Sequence, residues 1–291
     1  MIFSRMLQVT VCLFAGCGPM LEAQPVAATS VDGAVGITAV SSRVSRDYLR
    51  VKLPDGSFQP EEYSFGKGGR LDGPFRDASI EALNFLDIAR IIAAPLAAQN
   101  YRSAKDVKSE KLLIMVYWGT TNVSESFSMS DGYRGYESAR NGPTRDLAKR
   151  DILAENVERD HVDFMNARML GYDSEDLIGT YYGSTIGNTG MLAAHREDLI
   201  NEIEENRYFV VLVAYDFQVY LKQKKLKALW ETRFSINEPN NRFDKALPVM
   251  VQYASRYFGQ DSHGLLRTKV PEGKVLIGEP KSIGEVAVPE K

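Results

Sequence analysis

Residues Tyr208 to Tyr215, YFVVLVAY, constrain the fold of this chain more than any other stretch. Both alternating sets of side chains are apolar, so a strand here needs cover on each face and belongs in the middle of a sheet. The run 226–236 differs: Leu226, Ala228, Trp230, Thr232, Phe234 and Ile236 alternate with Lys227, Glu231, Arg233 and Ser235. That pattern predicts a strand with one buried face, returning antiparallel to the first. Between them Phe217, Val219 and Leu221 continue the first strand in alternation, and Lys222-Gln223-Lys224-Lys225 makes a polar turn.

Other elements arrange themselves around this hairpin. Lys111 to Trp118, KLLIMVYW, is a second apolar run of strand length. From Asp77 the period becomes helical, with Ile80, Leu83, Leu86, Ile88, Ile91, Ile92 and Leu96 on one stripe that shifts near Asp87. Pro95 should kink that helix, and Asn100 suits the left-handed position after its end, with Tyr101 folding back. A final helix follows the hairpin. Asn240 or Asn241 is its cap, Phe243, Leu247, Met250, Val251, Ala254, Tyr257 and Phe258 are its stripe, and Gly259 is its stop.

Weaker patterns fill the gaps. Tyr48–Leu53 alternates with Leu49, Val51 and Leu53 on one face, and Pro54-Asp55-Gly56 supplies a turn. Phe58–Phe65 reads as extended, held to a sheet edge or bulge by Pro60 and ended by the glycines at 66–69. Lys274–Ile277 is a short strand candidate in the tail. The order predicts an α+β domain with an antiparallel or mixed sheet. Helices 77–99 and 242–258 lie on one face, and a helical insertion at about 144–206 covers part of the other.

The N-terminus reads as an export signal. Arg5 precedes the apolar run Met6–Ala15, which at about ten residues is too short to span a bilayer. Phe14-Ala15-Gly16-Cys17 resembles the bacterial lipobox, in which a lipidated cysteine becomes the new N-terminus; leucine more often stands where Phe14 does. Cleavage after Ala23 is the rival. The expected organisation is therefore a signal peptide over 1–16, a lipid anchor and tether over 17–47, and a single domain over 48–291. Both cysteines, Cys12 and Cys17, fall in the first of these regions or at its boundary, so the body of the chain carries no thiol chemistry. A net charge of −3 argues against a nucleic-acid footprint.

Candidate functional residues are few, and none forms a metal or cofactor motif. His161 lies in Asp160-His161-Val162-Asp163, but adjacent helix positions point to different faces. His195 sits in a charged run, His195-Arg196-Glu197-Asp198, that suits a solvated helix face. GTYYGSTIGNTG (179–190) precedes a helix yet lacks the Gly-Lys-Ser/Thr of a phosphate loop, and Ser184 has no nucleophile-elbow context. Tyrosines are more suggestive. Tyr133 and Tyr136 lie in the long 119–143 loop, and Tyr172, Tyr181 and Tyr182 lie in the 171–190 connection, all among glycines. Tyrosine offers contact area with few torsions to freeze, so these five are the candidate binding surface; pinning down long loops is the rival role. Lys222, Lys224, Lys225 and Lys227 suit either contact with anionic lipid headgroups or protection of a sheet edge by charge.

Three segments carry a family resemblance: the Leu71–Tyr101 helix region, the strand Leu112–Trp118, and the hairpin and helix from Phe209 to Phe258. Together they resemble a family of bacterial envelope lipoproteins known only as a domain of unknown function. In that family a long helix ends in a Gly-aromatic pair before an apolar strand. A late hairpin with Trp on its second strand then precedes a final helix. Here Asn100-Tyr101 stands at the Gly-aromatic place and Ala228-Leu229-Trp230 matches the late strand. About half the chain is covered, the insertion being absent from short members. The resemblance implies an exported lipoprotein and brings no activity with it. The expectation is a non-enzymatic binding or assembly module, held to the outer membrane by its lipid and engaging an envelope protein or component. A periplasmic hydrolase using groups near His161 or His195 is the alternative.

Overall fold

The run 208–215 becomes the fourth strand of seven in one mixed sheet, with three strands on each side of it. The computed structural model describes residues 36–71, 73, 76–122, 131–139, 141–172 and 201–270. Its elements in chain order are β1 (Gly36–Val44), β2 (Glu61–Leu71), α1 (Ala78–Glu81), α2 (Phe85–Ala98), β3 (Tyr101–Ser103) and β4 (Leu112–Thr120). There follow α3 (Asp131–Ala139), α4 (Arg145–Leu170), β5 (Arg207–Asp216), α5 (Phe217–Gln223), β6 (Ala228–Asn237), α6 (Phe243–Ala254) and β7 (Leu265–Val270). The sheet order is β3-β2-β4-β5-β6-β1-β7. β2 runs parallel to both β3 and β4, and the remaining pairings are antiparallel. This is an α+β fold with a mixed sheet.

One face of the sheet is sealed by α1, α2 and α6. Tyr208, Val210, Leu212 and Ala214 of β5 point into this core with Leu112, Ile114, Val116 and Trp118 of β4 and Trp230, Phe234 and Ile236 of β6. Ile88, Ile92 and Leu96 of α2 and Phe243, Leu247 and Met250 of α6 meet them. Each such side chain, fully buried, contributes roughly 1.5–3 kcal/mol relative to exposure. Trp230 stacks on Phe258 with ring centroids 6.2 Å apart and an interplanar angle of 16°. Polar devices fix the helix ends. Asn84 and Asp87 form a capping box at α2, and the Ser79 hydroxyl accepts the Phe243 N–H at the start of α6 (2.8 Å). The helix runs through Pro95, and Asn100 beyond its end has the expected positive φ of 61°.

The opposite face is covered in two pieces. Phe209, Val211 and Val213 of β5 meet Ala167, Leu170, Tyr172 and Ile203, while Leu113 and Met115 of β4 meet Phe217 of α5. The helical insertion therefore lies where the two-sided YFVVLVAY pattern requires cover.

Several expectations need correction. Residues 36–44, assigned to a tether, form β1, held between β6 and β7. Their small and polar side chains hid the strand. Thr38, Ser41 and Ser42 are buried, and the Ser42 hydroxyl meets Thr232 Oγ1 at 2.7 Å and donates to Tyr257 O at 2.9 Å. The alternation beyond Asp216 is helix, not strand. The Asp216 carboxylate accepts the Val219 N–H (2.9 Å), and Phe217, Tyr220 and Leu221 share one helical face. β2 passes through its glycines to Leu71 and is an interior strand. Gly66 and Gly68 lie where Met115 and Tyr117 cross, so the missing Cβ makes room for β4. Tyr48 and Arg50 turn inward from the 48–53 segment, which pairs only through the Lys52–Phe58 bridge, while Leu49, Val51 and Leu53 face solvent. The final helix is capped at Arg242, not at either asparagine. The last described strand is β7; Lys274–Ile277 lies outside the described residues.

Candidate functional site

The sequence from Arg145 to Leu170 contains no glycine or proline, and Ala, Leu and Arg, all strong helix formers, recur along it. It forms one 26-residue helix, about 39 Å long at 1.5 Å per residue. Gly171 ends it in the left-handed conformation with φ 87°, its N–H donating to Ala167 O (2.9 Å). A Cβ at Gly171 would stand 2.6 Å from Cβ of Ser41, so the helix end presses directly on β1.

Only the last quarter of α4 is seated on the sheet. Asp163, Asn166, Ala167 and Leu170 are buried there. Asn166 acts as a bolt: it accepts the Asn122 N–H (3.2 Å), and its amide donates to Asn122 O and to Ile203 O (3.2 Å). Arg207, 1% exposed, donates to Ser235 Oγ (3.2 Å) and Ile37 O (2.8 Å), tying β5 to β6 and β1 beneath this seat. Tyr172 donates to Glu202, which also pairs with Arg267 at 3.1 Å. Burial, reinforced by the Glu202 charge, pushes the Tyr172 phenol well above its ordinary range. Glu204 is raised by burial and by nearby Asp163, with Arg159 opposing.

The rest of α4 stands clear. Between Arg145 and Val162 none of the described side chains is buried, although α3 lies against this part of the helix. Leu153, Val157 and Phe164 occupy a narrow wedge of the helix and remain 54%, 70% and 40% exposed. The inward face is set by Asp163, Asn166, Ala167 and Leu170, a second stripe at i, i+3, i+4 and i+7. Two stripes on one helix were a readable sign that one of them faces away from the domain.

The candidate residues are dispersed. Tyr172 is buried, so it does not belong to an exposed surface. Tyr136 is half-buried on α3, a helix within what the sequence pattern left as a loop; Tyr133 lies on the same helix. The side chain of Tyr133 lies outside the described residues, as do Tyr181, Tyr182, His195, Ser184 and Cys17. His161 and Asp160 are exposed on the free part of α4, while Asp163 is buried under it, so the ring and that carboxylate do not converge. His263 stands in an exposed turn 3.5 Å from Asp261. Among the described residues no cluster of three or more His, Cys, Asp or Glu is placed to hold a metal ion. No helix among them is long and apolar enough to cross a membrane.

A second polar network lies where β2 and β4 begin. Arg50 is 6% exposed, its guanidinium 4.2 Å from the Phe58 ring centroid and 3.9 Å from that of Tyr101. It donates to Gln99 O at 2.7 Å. The Tyr48 hydroxyl donates to Glu61 (2.5 Å), which also pairs with Lys111. Nearby, Glu110 is fully buried. Burial pushes its carboxyl up to about 7, with Ser64 pulling in the opposite direction.

No protein-family model matches this chain, and no curated protein matches it. Among solved structures it is similar to a PDZ domain protein from Parabacteroides distasonis ATCC 8503, at 12% identity and TM-score 0.31. That match covers 80% of this chain and 39% of the other, so the chain spans well under half the length of that protein. It is also similar to a DUF4136 family protein from Bacteroides thetaiotaomicron VPI-5482, at 12% identity and TM-score 0.29, covering 74% of this chain and 92% of the other. Both likenesses are weak.

Proposed function

We propose that the chain is an exported envelope lipoprotein whose folded body is a binding module, with the free part of α4 as its protein-contact face. One observation carries the binding role: the aligned, exposed Leu153, Val157 and Phe164 on a helix seated only at its C-terminal end. Helices in water are held by burying their apolar stripe, and this stripe remains largely exposed. A helix offering exposed apolar anchors at i, i+4 and i+11 suits a hydrophobic groove on a partner protein. Export and lipidation are supported by the Met1–Cys17 pattern: a short apolar run, small residues, then cysteine.

Two experiments test this reading. Replacing Leu153, Val157 and Phe164 together by Ser should leave the melting temperature within 2 °C of wild type while abolishing crosslinked partner recovery from the envelope. A large fall in melting temperature would show the stripe to be structural and end the proposal for α4. Separately, Cys17→Ser should move the protein out of the membrane fraction. A mature wild-type N-terminus at Gln24 without lipid would refute the lipoprotein reading.

A further inference from the structure

The short helix α5 and the residues after it put four lysines into six positions, Lys222, Lys224, Lys225 and Lys227, with no acidic residue among them. All four are exposed. Lys227 pairs with Asp47 at 3.2 Å, whereas no described carboxylate lies within ion-pair distance of Lys222, Lys224 or Lys225. Lys222, in the last turn of α5, complements that helix's C-terminal dipole, and Lys224 closes the helix with φ 54°. Protection of a sheet edge does not account for the cluster. It joins β5 to β6, and both are interior strands flanked on each side.

Apolar side chains stand beside these charges. The Ser45 N–H donates to Leu229 O (2.8 Å) and Asp47 pairs with Lys227, so the segment leading to Leu49 and Val51 starts beside the lysine loop. Leu49 is 83% exposed, Val51 54% and Leu226 47%. The outward aim of Leu49 and Val51 is built in. Tyr48 is held by Glu61 and Arg50 by two aromatic rings and Gln99 O, so in this extended segment the intervening residues must face solvent.

From this juxtaposition of preorganised apolar tips and lysines without a described carboxylate partner, Lys224 resting over the Tyr220 ring, on a chain of net charge −3, we propose that this end of the sheet docks on an anionic phospholipid surface. Leu49, Val51 and Leu226 enter the boundary between headgroups and acyl chains, and Lys222, Lys224 and Lys225 pair with lipid phosphates. A basic cluster alone would suit many acidic partners. The exposed aliphatic tips beside it favour a bilayer, because insertion needs apolar area as well as attraction to charge. This docking goes beyond the binding role proposed for α4 and does not depend on Cys17. β1 begins at the other end of the sheet, where Gly36 pairs with Val270, and residues 17–35 reach at most ~65 Å when extended. That span exceeds the ~30 Å length of a nine-residue strand, so a lipid at Cys17 and the lysine end can occupy one membrane together.

The test is vesicle flotation of the full chain carrying Cys17→Ser, so that no acyl chain contributes. Vesicles of phosphatidylethanolamine with one quarter phosphatidylglycerol are compared with pure phosphatidylcholine. Each lysine near an anionic surface is worth about fivefold in partitioning. Changing Lys222, Lys224 and Lys225 together to Gln should therefore weaken binding to the anionic vesicles about 100-fold, with most of the salt dependence lost. Leu49→Ser with Val51→Ser should weaken it about tenfold and leave the salt dependence intact. All five residues are exposed, so melting temperatures should not change. The apolar N-terminal run is common to every variant, so its contribution cancels. Equal binding to both vesicle types, variants that bind like the parent, or retention on an immobilised acidic protein with no flotation would each overturn the proposal. Because no lipid is attached, its failure is distinguishable from failure of the Cys17 reading.

Discussion

The two faces of this sheet are covered by different means. On the face of α2 and α6, aromatic and aliphatic side chains interlock with few polar intrusions, and Trp230, Phe234, Phe243 and Phe258 are each 1% exposed or less. On the face of α4, a small apolar contact is completed by buried polar groups such as Asn166, Arg207, Asp163 and Tyr172. Apolar packing is non-directional and tolerates only what fills the volume. Hydrogen-bonded seating instead fixes a helix at a few points and lets the rest of it leave the surface. The first face makes the fold, and the second carries an appendage.

Substitutions can break or sharpen that contrast. Leu212 and Val213 are neighbours on β5 that point to opposite faces. Leu212→Asp strands a charge in the sealed core and should leave little or no folded protein, read by loss of the thermal transition. Trp230→Ala on the same face should destabilise by about 3–5 kcal/mol in urea unfolding. A loss under 1 kcal/mol would mean that this face is not packed as described. On the second face the local charges should decide the outcome. Val211 and Val213 are equally exposed at 8%, but Val211 lies opposite Arg233 and Val213 opposite Glu231. Val213→Asp should therefore be worse than Val211→Asp by about 1 kcal/mol, because like charges directly across strands repel. Equal losses would argue that cross-strand charge is irrelevant there.

A further effect concerns pH. Folded Glu110 keeps its proton up to about 7, against 4.5 for the free carboxyl, so between those values the folded state binds more protons than the unfolded one. Its contribution is full below 4.5 and declines as the pH rises to 7, by roughly 1–3 kcal/mol. Glu110→Gln cannot ionise and should remove that decline, raising the melting temperature at pH 8 by a few degrees with little change at pH 4.5. An unchanged profile would mean that the carboxyl is solvated in solution.

The parts of this fold written in strong periodicity were legible. β4, β5, β6, α2 and α6 follow from apolar runs and stripes that admit one reading. The parts that escaped were those where local pattern and tertiary setting disagree. β1 mixes Thr, Ser, Ala and Gly with Ile37, Val40 and Val44, and its Ser42 is satisfied by hydrogen bonds to Thr232, Tyr257 and Ser262 that lie roughly 190 residues or more away. The 217–223 segment fits both a period of two and a period of 3.6, and its Asp216 cap settles the matter. The candidate site was less legible still. Aromatics among glycines point to Tyr172, which is core, while the exposed stripe on α4 has the spacing of any helix and carries no sign of its exposure.

The position of β1 has a kinetic consequence. Its partners are β6 and β7, with Thr38 opposite Ile236 and Thr268, so the first described strand in synthesis waits for the last two described. At roughly 5–20 residues per second, some tens of seconds of synthesis separate β1 from β7. Three of the seven strands, β6-β1-β7, are unable to assemble fully during that interval, and closing such a loop makes folding intrinsically slow. In a chain wired in this order β1 stays unpaired until β6 and β7 have been made, and its backbone is open to chaperones and proteases for the whole of that time.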